Sequence, residues 1–202
     1  MKKVVFLCIA LSLAACKKEE KTENKTSLGD AIEGMSNLGK VANKMDEVTK
    51  NIDELKTKTP VSNNVLKAVV PENLGGLKRT EISVGQTSVM NVSSADAKYS
   101  DDNKRINLTV MDGAGETGSS LVSIFMMSLS ADMEKTTENG FEKTTTINGI
   151  KAMVSENKNA DNINSEIKMV VKNRYMISIE GSGYTVEELS KTISEINLSE
   201  LP

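Results

Sequence analysis

The amino-acid sequence predicts an α+β fold, in which one antiparallel sheet of about seven to eight strands forms two meanders. Each meander is followed by a helix packed on the sheet, and a long N-terminal helix precedes both. Three patterns in the sequence carry this prediction. Apolar and polar residues alternate in short runs, which is typical of half-buried strands. Asn148-Gly149 between two such runs favours a tight hairpin, and the apolar period lengthens to a helical one at two places.

The first meander is predicted to follow Gly75-Gly76 and to run through Val110, and its helix begins at Ser119. The strands comprise Lys78–Gly85, Gln86–Val92, an alternating segment through Ala95, Ala97 and Tyr99, and a segment through Ile106, Leu108 and Val110. Asp101-Asp102-Asn103 is a predicted turn. The helix Ser119–Met133 carries apolar residues around most of its circumference, which predicts the most buried helix of the domain.

The second meander repeats this plan with four further strands. They are Phe141–Ile147, Ile150–Glu156, Glu166–Val171 and Arg174–Glu180, with a polar loop predicted over Asn157–Asn164. Thr185 and Glu188 have the spacing of a capping box and predict the start of the final helix. Both helices are expected to cover the same side of the sheet. The whole globular domain is expected to span residues 61–202, which is enough for one hydrophobic core.

Residues 28–58 are predicted to form an amphipathic helical stalk before that domain. Its apolar seam repeats every seven residues through Ala31, Leu38, Met45 and Ile52, with a second row at Gly34, Val41, Val48 and Leu55. Pro60 ends the helix near Lys58, because proline cannot continue the hydrogen-bond ladder. Such a seam needs a partner. The sequence leaves open whether residues 28–55 self-associate, bind a protein partner, or fold back on the chain's own domain.

The first 15 residues have the pattern of a signal peptide. Lys2 and Lys3 precede an apolar run that is too short to span a bilayer, and small residues stand before Cys16. The stretch Leu13-Ala14-Ala15-Cys16 resembles the lipobox of bacterial lipoproteins. The resemblance implies that Cys16 becomes the first mature residue and receives a diacylglyceryl group and an acyl chain, which together anchor a protein stably to a membrane. Residues 16–27 would then be a charged, disordered tether.

Residues immediately after Cys16 carry a second resemblance. Lys18, Glu19 and Glu20 are similar to the export signal of surface-exposed Bacteroidetes-type lipoproteins. That resemblance implies an outer-membrane location with display on the cell surface. The alternative is an ordinary solvated spacer on a protein that faces the periplasm.

Composition restricts the available chemistry. The chain has no histidine, and its two cysteines are lost, one with the signal peptide and one to the lipid. Cysteine nucleophiles, disulfides, thiolate metal sites and histidine-based catalysis are therefore excluded from the predicted mature protein. The net charge of −3 becomes more negative when Lys2 and Lys3 are removed, which disfavours binding to nucleic acid.

Three weaker patterns are interpreted structurally. Gly113-Ala114-Gly115-Glu116-Thr117-Gly118 matches the dinucleotide fingerprint, but it is interpreted as a turn before a helix. Met126, Met127, Met169 and Met176 are interpreted as core or pocket residues instead of soft-metal ligands. Asp101-Asp102-Asn103 and Asp161–Asn164 lack the spacing of a calcium loop. We therefore predict no catalytic, cofactor-binding or metal-binding residues.

The function predicted from the sequence is that of a membrane-anchored envelope lipoprotein with a non-catalytic domain that binds a protein partner or an apolar ligand. The alternative is a structural or assembly protein of the outer membrane that acts through its heptad helix. A hydrolase without histidine or cysteine is a third hypothesis, although no S-x-x-K or G-x-S-x-G motif supports it.

Overall fold

The computed structural model describes residues 49–86, 92–159 and 162–202. These residues form an α+β structure with four helices and one nine-stranded antiparallel sheet. The predicted fold class is therefore confirmed, with more strands than expected. Residues 28–48 of the predicted stalk lie outside the described residues, as do the signal peptide and the tether.

The elements are numbered in chain order. The helices are α1, whose described part is residues 49–57, α2 (Asn63–Val69), α3 (Gly115–Ser130) and α4 (Val186–Lys191). The strands are β1 (Asn73–Leu74), β2 (Leu77–Gln86), β3 (Ser93–Ser100), β4 (Arg105–Asp112), β5 (Glu134–Thr137), β6 (Gly140–Ile147), β7 (Ile150–Asn159), β8 (Asn162–Val171) and β9 (Tyr175–Ser182). Two 3₁₀ turns, Thr192–Glu195 and Leu198–Glu200, end the chain.

The two predicted meanders join in the middle of the sheet. The strand order is β1-β2-β3-β4-β9-β8-β7-β6-β5, so the last strand of the first meander pairs with the last strand of the second. Leu108 lies opposite Ile179, which in turn lies opposite Ile167. This row of aliphatic side chains forms the centre of the core, because all three residues are fully buried.

The sheet has two different faces. The covered face carries Leu108, Ile167 and Ile179, and it packs in one cluster with α2, α4 and the C-terminal turns. The open face carries the alternate residues of the same strands. At one end of the open face, Met111 and its neighbours pack in a second cluster with Leu55 of α1 and Val122 of α3. The expectation that both predicted helices cover one side is therefore wrong, because α3 and α4 pack on opposite faces.

Helix α3 is also less buried than its sequence predicts. The side chain of Ile124 is 68% exposed and that of Met127 is 51% exposed, whereas Val122 on the opposite side of the helix is fully buried. The reason is geometric. A helix lying on the surface of a sheet buries only the stripe that faces the sheet, however many apolar residues it carries.

Several local predictions are confirmed. Asn148 and Gly149 both have positive φ and form the tight turn between β6 and β7. The Asp101 carboxylate accepts hydrogen bonds from the backbone N–H groups of Asn103 and Lys104, which lower the pKa of Asp101. The capping box of Thr185 and Glu188 is present at the start of α4.

Other local predictions are wrong. The predicted loop Asn157–Asn164 is largely strand, since β7 continues to Asn159 and β8 begins at Asn162. Residues 63–69 form helix α2, and the short strand β5 follows α3; neither was predicted. The final helix has only six residues before it tightens into a 3₁₀ turn.

An ion pair holds the linker that connects α1, on the open face, to α2, on the covered face. The Arg174 guanidinium donates two hydrogen bonds to the buried Asp112 carboxylate, at 2.7 and 2.9 Å. The same carboxylate accepts a hydrogen bond from the N–H of Val61, and Arg174 donates to the carbonyl of Thr59. The linker between α1 and α2 is thereby held to the sheet. The hydrogen bonds with Asp112 raise the pKa of Arg174.

Candidate binding groove

A groove of about 470 Å³ lies on the open face, between the C-terminal half of α3 and one end of the sheet. Its walls are formed by α3, by the turn between β6 and β7, by the end of β8, and by one residue of α1. The lining residues are Asn51, Met126, Leu129, Ser130, Gly149, Ile150, Lys151, Val170, Val171, Lys172 and Asn173. Its volume lies in the range of about 300–1,000 Å³ that is usual for small-ligand pockets.

Two hairpin turns at the same end of the sheet shape this groove. Asn148 and Gly149 connect β6 to β7, and three residues, Lys172, Asn173 and Arg174, connect β8 to β9. Asn148, Gly149, Lys172 and Asn173 have positive φ, as in hairpin turns whose twist follows that of the strands. Residues of both turns line the groove.

Helix α1 forms one side of the groove. The Asn51 side-chain amide donates a hydrogen bond of 2.7 Å to the carbonyl of Asn173 and lies 3.8 Å from the Met126 sulfur. One turn later, Leu55 is only 1% exposed in the cluster with Val122. The described end of the predicted stalk thus packs against the chain's own domain, in the same compact unit as the sheet.

The charges around the groove are unusual for an acidic chain. Both charged residues that line it, Lys151 and Lys172, are lysines. The Lys151 ammonium forms an ion pair of 2.9 Å with Asp132, whose side chain is 95% exposed. The Lys172 ammonium donates a hydrogen bond to the carbonyl of Leu201. Because an ammonium has three donors, each lysine can still bind a further acceptor.

A second depression, of about 400 Å³, lies on the uncovered part of the open face and is polar. It is lined by Arg105, Asn107, Ser155, Asn157, Asn164, Ser165, Glu166, Glu180, Gly181 and Ser182. Glu166 and Glu180 lie directly opposite each other on neighbouring strands, and the Lys168 ammonium is 2.5 Å from Glu166. This surface offers hydrogen bonds but little apolar contact area.

The residues that the sequence associates with membrane attachment cannot be placed. Cys16, Lys18, Glu19 and Glu20 all lie outside the described residues. Their assignments therefore remain predictions. In the part of the chain that the structure does describe, no helix is long and apolar enough to cross a membrane.

The glycines of the dinucleotide-like motif serve packing. A Cβ atom on Gly113 would lie 2.5 Å from the carbonyl oxygen of Arg174, and one on Gly118 would lie 2.9 Å from that of Asp112. The Asp112 carboxylate accepts a hydrogen bond from the N–H of Ala114, immediately before α3. A buried carboxylate at this position repels a phosphate group. All strand pairs among the described residues are antiparallel, whereas the fingerprint requires a parallel strand.

The four methionines considered as metal ligands are separated by the fold. Met169 is fully buried in the core of the covered face, whereas Met176 packs in the cluster on the open face. Met126 lines the groove, and its neighbour Met127 is exposed. The core interpretation is thus correct for Met169 and Met176 and wrong for Met127. Met126 fits the alternative interpretation as a pocket residue.

The groove itself was not predicted from the sequence. Lys151 belongs to the predicted strand Ile150–Glu156, whereas Lys172 lies between the predicted strands Glu166–Val171 and Arg174–Glu180. The two lysines come together because β7 and β8 are adjacent. The register pairs Ala152 with Met169, which brings Lys151 beside Val170, two residues before Lys172.

Comparison of the chain with protein-family models, with curated proteins and with solved structures finds no match.

Proposed function

We propose that this chain is a lipid-anchored protein of the bacterial cell envelope whose sheet domain is a non-catalytic binding module. The lipid on Cys16 holds the protein in the outer membrane, and residues 16–27 separate the anchor from the folded part. The observation that carries the binding half of this proposal is the groove below α3. It combines an apolar floor with a few polar groups, as ligand pockets in proteins do.

Asn51, in the described part of α1, contributes to the groove wall. Lys18, Glu19 and Glu20 direct display on the cell surface in this proposal; the alternative orientation faces the periplasm.

The anchoring half is tested with the substitution Cys16→Ser. The variant should lose labelling by a metabolic fatty-acid probe and should leave the membrane fraction, because a lipid supplies the attachment. Cys8→Ser is the matched control, since it changes the other cysteine within the signal peptide and should leave labelling intact. Continued membrane association of the Cys16→Ser protein would contradict the proposal.

Surface display is tested separately. Replacing Lys18, Glu19 and Glu20 by alanine should preserve lipidation but protect the protein from protease added to whole cells. If the wild type is itself protected, or if the variant is still digested, these residues act only as a spacer.

The binding half is tested with a photoreactive amino acid placed at Ser130, on the groove wall. In living cells it should form an adduct with a ligand, whereas the same group at the exposed Thr137 of β5 should not. The mass of the adduct distinguishes an apolar ligand from a protein partner. Absence of any adduct at Ser130 would contradict the binding proposal.

A structural or assembly role is the second candidate, and the exposed surface of α3 favours it. Ile124 and Met127 project from the outer side of this helix. An apolar surface of this kind can bind a second helix. Charged substitutions at Leu38, Met45 and Ile52 should then convert an oligomer into a folded monomer in sedimentation experiments. A wild type that remains monomeric at high concentration would exclude this role.

A further inference from the structure

We infer that the groove binds a single-chain amphiphile with a carboxylate headgroup, that is, a long-chain fatty acid. This inference rests on the proposed binding function and names the chemical class of the ligand. The acyl chain lies along Met126, Leu129 and Val170, and the carboxylate binds the Lys151 ammonium at the rim.

The apolar floor accounts for the acyl chain. Leu129 is 6% exposed and closes the groove from the side of α3, while Met126 and Val170 are half-buried at its base. Methionine adapts its shape to flexible apolar ligands. A groove of about 470 Å³ lies in the lower half of the range for ligand pockets, which suits one acyl chain.

Charge complementarity accounts for the headgroup. The chain carries a net charge of −3, yet both charged residues that line the groove are lysines. An apolar ligand without a charge would gain nothing from them, and a cationic amphiphile would be repelled. An anionic headgroup gains a charge-assisted hydrogen bond, which is stronger than one between neutral groups.

The Lys151–Asp132 ion pair provides a place for that headgroup. Asp132 is 95% exposed, so its interaction with Lys151 is screened by water and weak. A ligand carboxylate that is held in place by its buried acyl chain can therefore replace Asp132. In the free protein, the Asp132 carboxylate occupies the position that the ligand takes.

The second lysine lies at the same groove. Lys151 and Val170 line it, and Lys172 lines it from the turn that follows β8. Lys172 therefore adds positive charge to the groove, although its ammonium already donates a hydrogen bond to the Leu201 carbonyl.

The test uses the full chain, as isolated from cells, in phosphatidylcholine nanodiscs. The probe is a palmitic acid with a photoreactive diazirine near the end of its chain, and crosslinked peptides are mapped by mass spectrometry. We expect crosslinks at Met126, Leu129 and Val170. The methyl ester of the same probe should label these residues about tenfold less, because it lacks the charge that binds Lys151.

Three variants test the roles of Lys151 and Asp132 in binding. Lys151→Gln should reduce labelling about tenfold. Asp132→Asn should increase labelling about two- to fivefold, because it removes the competing carboxylate. Lys168→Gln is the matched control: Lys168 lies on the same open face, is also paired with a carboxylate, and is 37% exposed against 38% for Lys151. Its labelling should equal that of the wild type, and all variants should keep the wild-type melting temperature.

The inference is overturned by equal labelling with acid and ester, by a Lys151→Gln protein that labels like the wild type, or by crosslinks spread over the whole surface. Preferential labelling by a photoreactive phosphatidylcholine would also overturn it, because that result indicates contact with the lipid surface. The readout does not depend on Cys16. An adduct at Ser130 in cells without fatty-acid labelling would leave the binding function intact and reject only the ligand class.

Discussion

On the covered face of the sheet, β4, β8 and β9 present Leu108, Ile167 and Ile179, and all three are fully buried. On the open face, the neighbouring residues of the same strands are Asn107, Glu166 and Glu180, which are half-buried or exposed. Strict alternation along a strand makes this possible, because successive side chains point to opposite sides. One face is therefore fixed by packing, while the other can carry a binding surface without disturbing the core.

The helices on the two faces also differ, in length, in capping and in how much of their apolar surface is buried. On the covered face, α4 has only six helical residues and depends on its capping box and on the burial of Leu189. On the open face, α3 has sixteen residues, lacks a side-chain cap and exposes apolar residues to solvent. Helix α4 covers part of the core. Helix α3 forms one wall of the groove.

The first prediction concerns the ion pair that links the two faces. Asp112→Asn should lower the free energy of unfolding by about 3–5 kcal/mol, because it leaves the Arg174 guanidinium without its buried partner. Chemical denaturation measures this effect, and hydrogen exchange should increase at the Val61 N–H, which donates to the Asp112 carboxylate. Lys191→Met removes the fully solvated pair with Glu187 and should change stability by no more than about 0.5 kcal/mol. Similar losses in the two variants would contradict the proposed role of the pair.

The second prediction compares two neighbouring residues of β9 on opposite faces. Ile179→Ala should cost about 2–5 kcal/mol, since it leaves a cavity in the centre of the covered face. Ser178→Ala, one residue earlier on the open face, should stay within about 0.5 kcal/mol of the wild type. Denaturation midpoints measured at constant m-value test this difference. Comparable losses of stability in the two variants would contradict the conclusion that changes on the open face leave the core undisturbed.

Patterns with a short range in the sequence predicted the local structure well. The hairpin at Asn148-Gly149 follows from the φ values that a two-residue turn requires, and the cap of α4 follows from the chemistry of Thr185 and Glu188. Strands β4 and β9 follow from the alternation of apolar and polar residues in their sequences. In each case, residues within four positions of one another determine the structure.

Long-range features could not be predicted in this way. The sequence of α3 does not say which side of the sheet it will cover, since its apolar residues surround the helix. Helix α2 has only seven residues, and its stability comes from burying Leu66 and Val69 against the covered face. The predicted meander already makes β7 and β8 neighbours, but the loop predicted over Asn157–Asn164 leaves their register open. The groove also depends on where α3 lies, so only the structure shows that Lys151 and Lys172 share a site.

The third prediction concerns the cap that holds α4 on the covered face. The Thr185 hydroxyl accepts a hydrogen bond from the N–H of Glu188 at 3.2 Å. Thr185→Ala should lower the free energy of unfolding by about 0.5–2 kcal/mol, because it leaves a helix N–H group without a partner. Ser194→Ala removes a side-chain hydrogen bond in the exposed turn after the helix and serves as the control. A larger loss in the control would show that the cap is not what secures this helix.

The last prediction uses pH to measure what the Glu188 carboxylate contributes to the same cap. The Glu188 carboxylate accepts hydrogen bonds from the backbone N–H and the hydroxyl of Thr185, and these bonds lower its pKa in the folded state. A group whose pKa is lowered by folding stabilises the protein above its unfolded pKa, and this contribution is lost as the pH falls through the folded value.

The stability difference between the wild type and Glu188→Gln should therefore be constant near neutral pH and should shrink below about pH 4. Glutamine can still accept a hydrogen bond in a capping box, so the variant mainly removes the charge. Glu187→Gln is the control, because Glu187 forms only an exposed pair with Lys191. Urea denaturation between neutral pH and pH 3 measures both differences. A Glu188→Gln difference that stays constant into acid would show that the charge of Glu188 adds nothing to the cap.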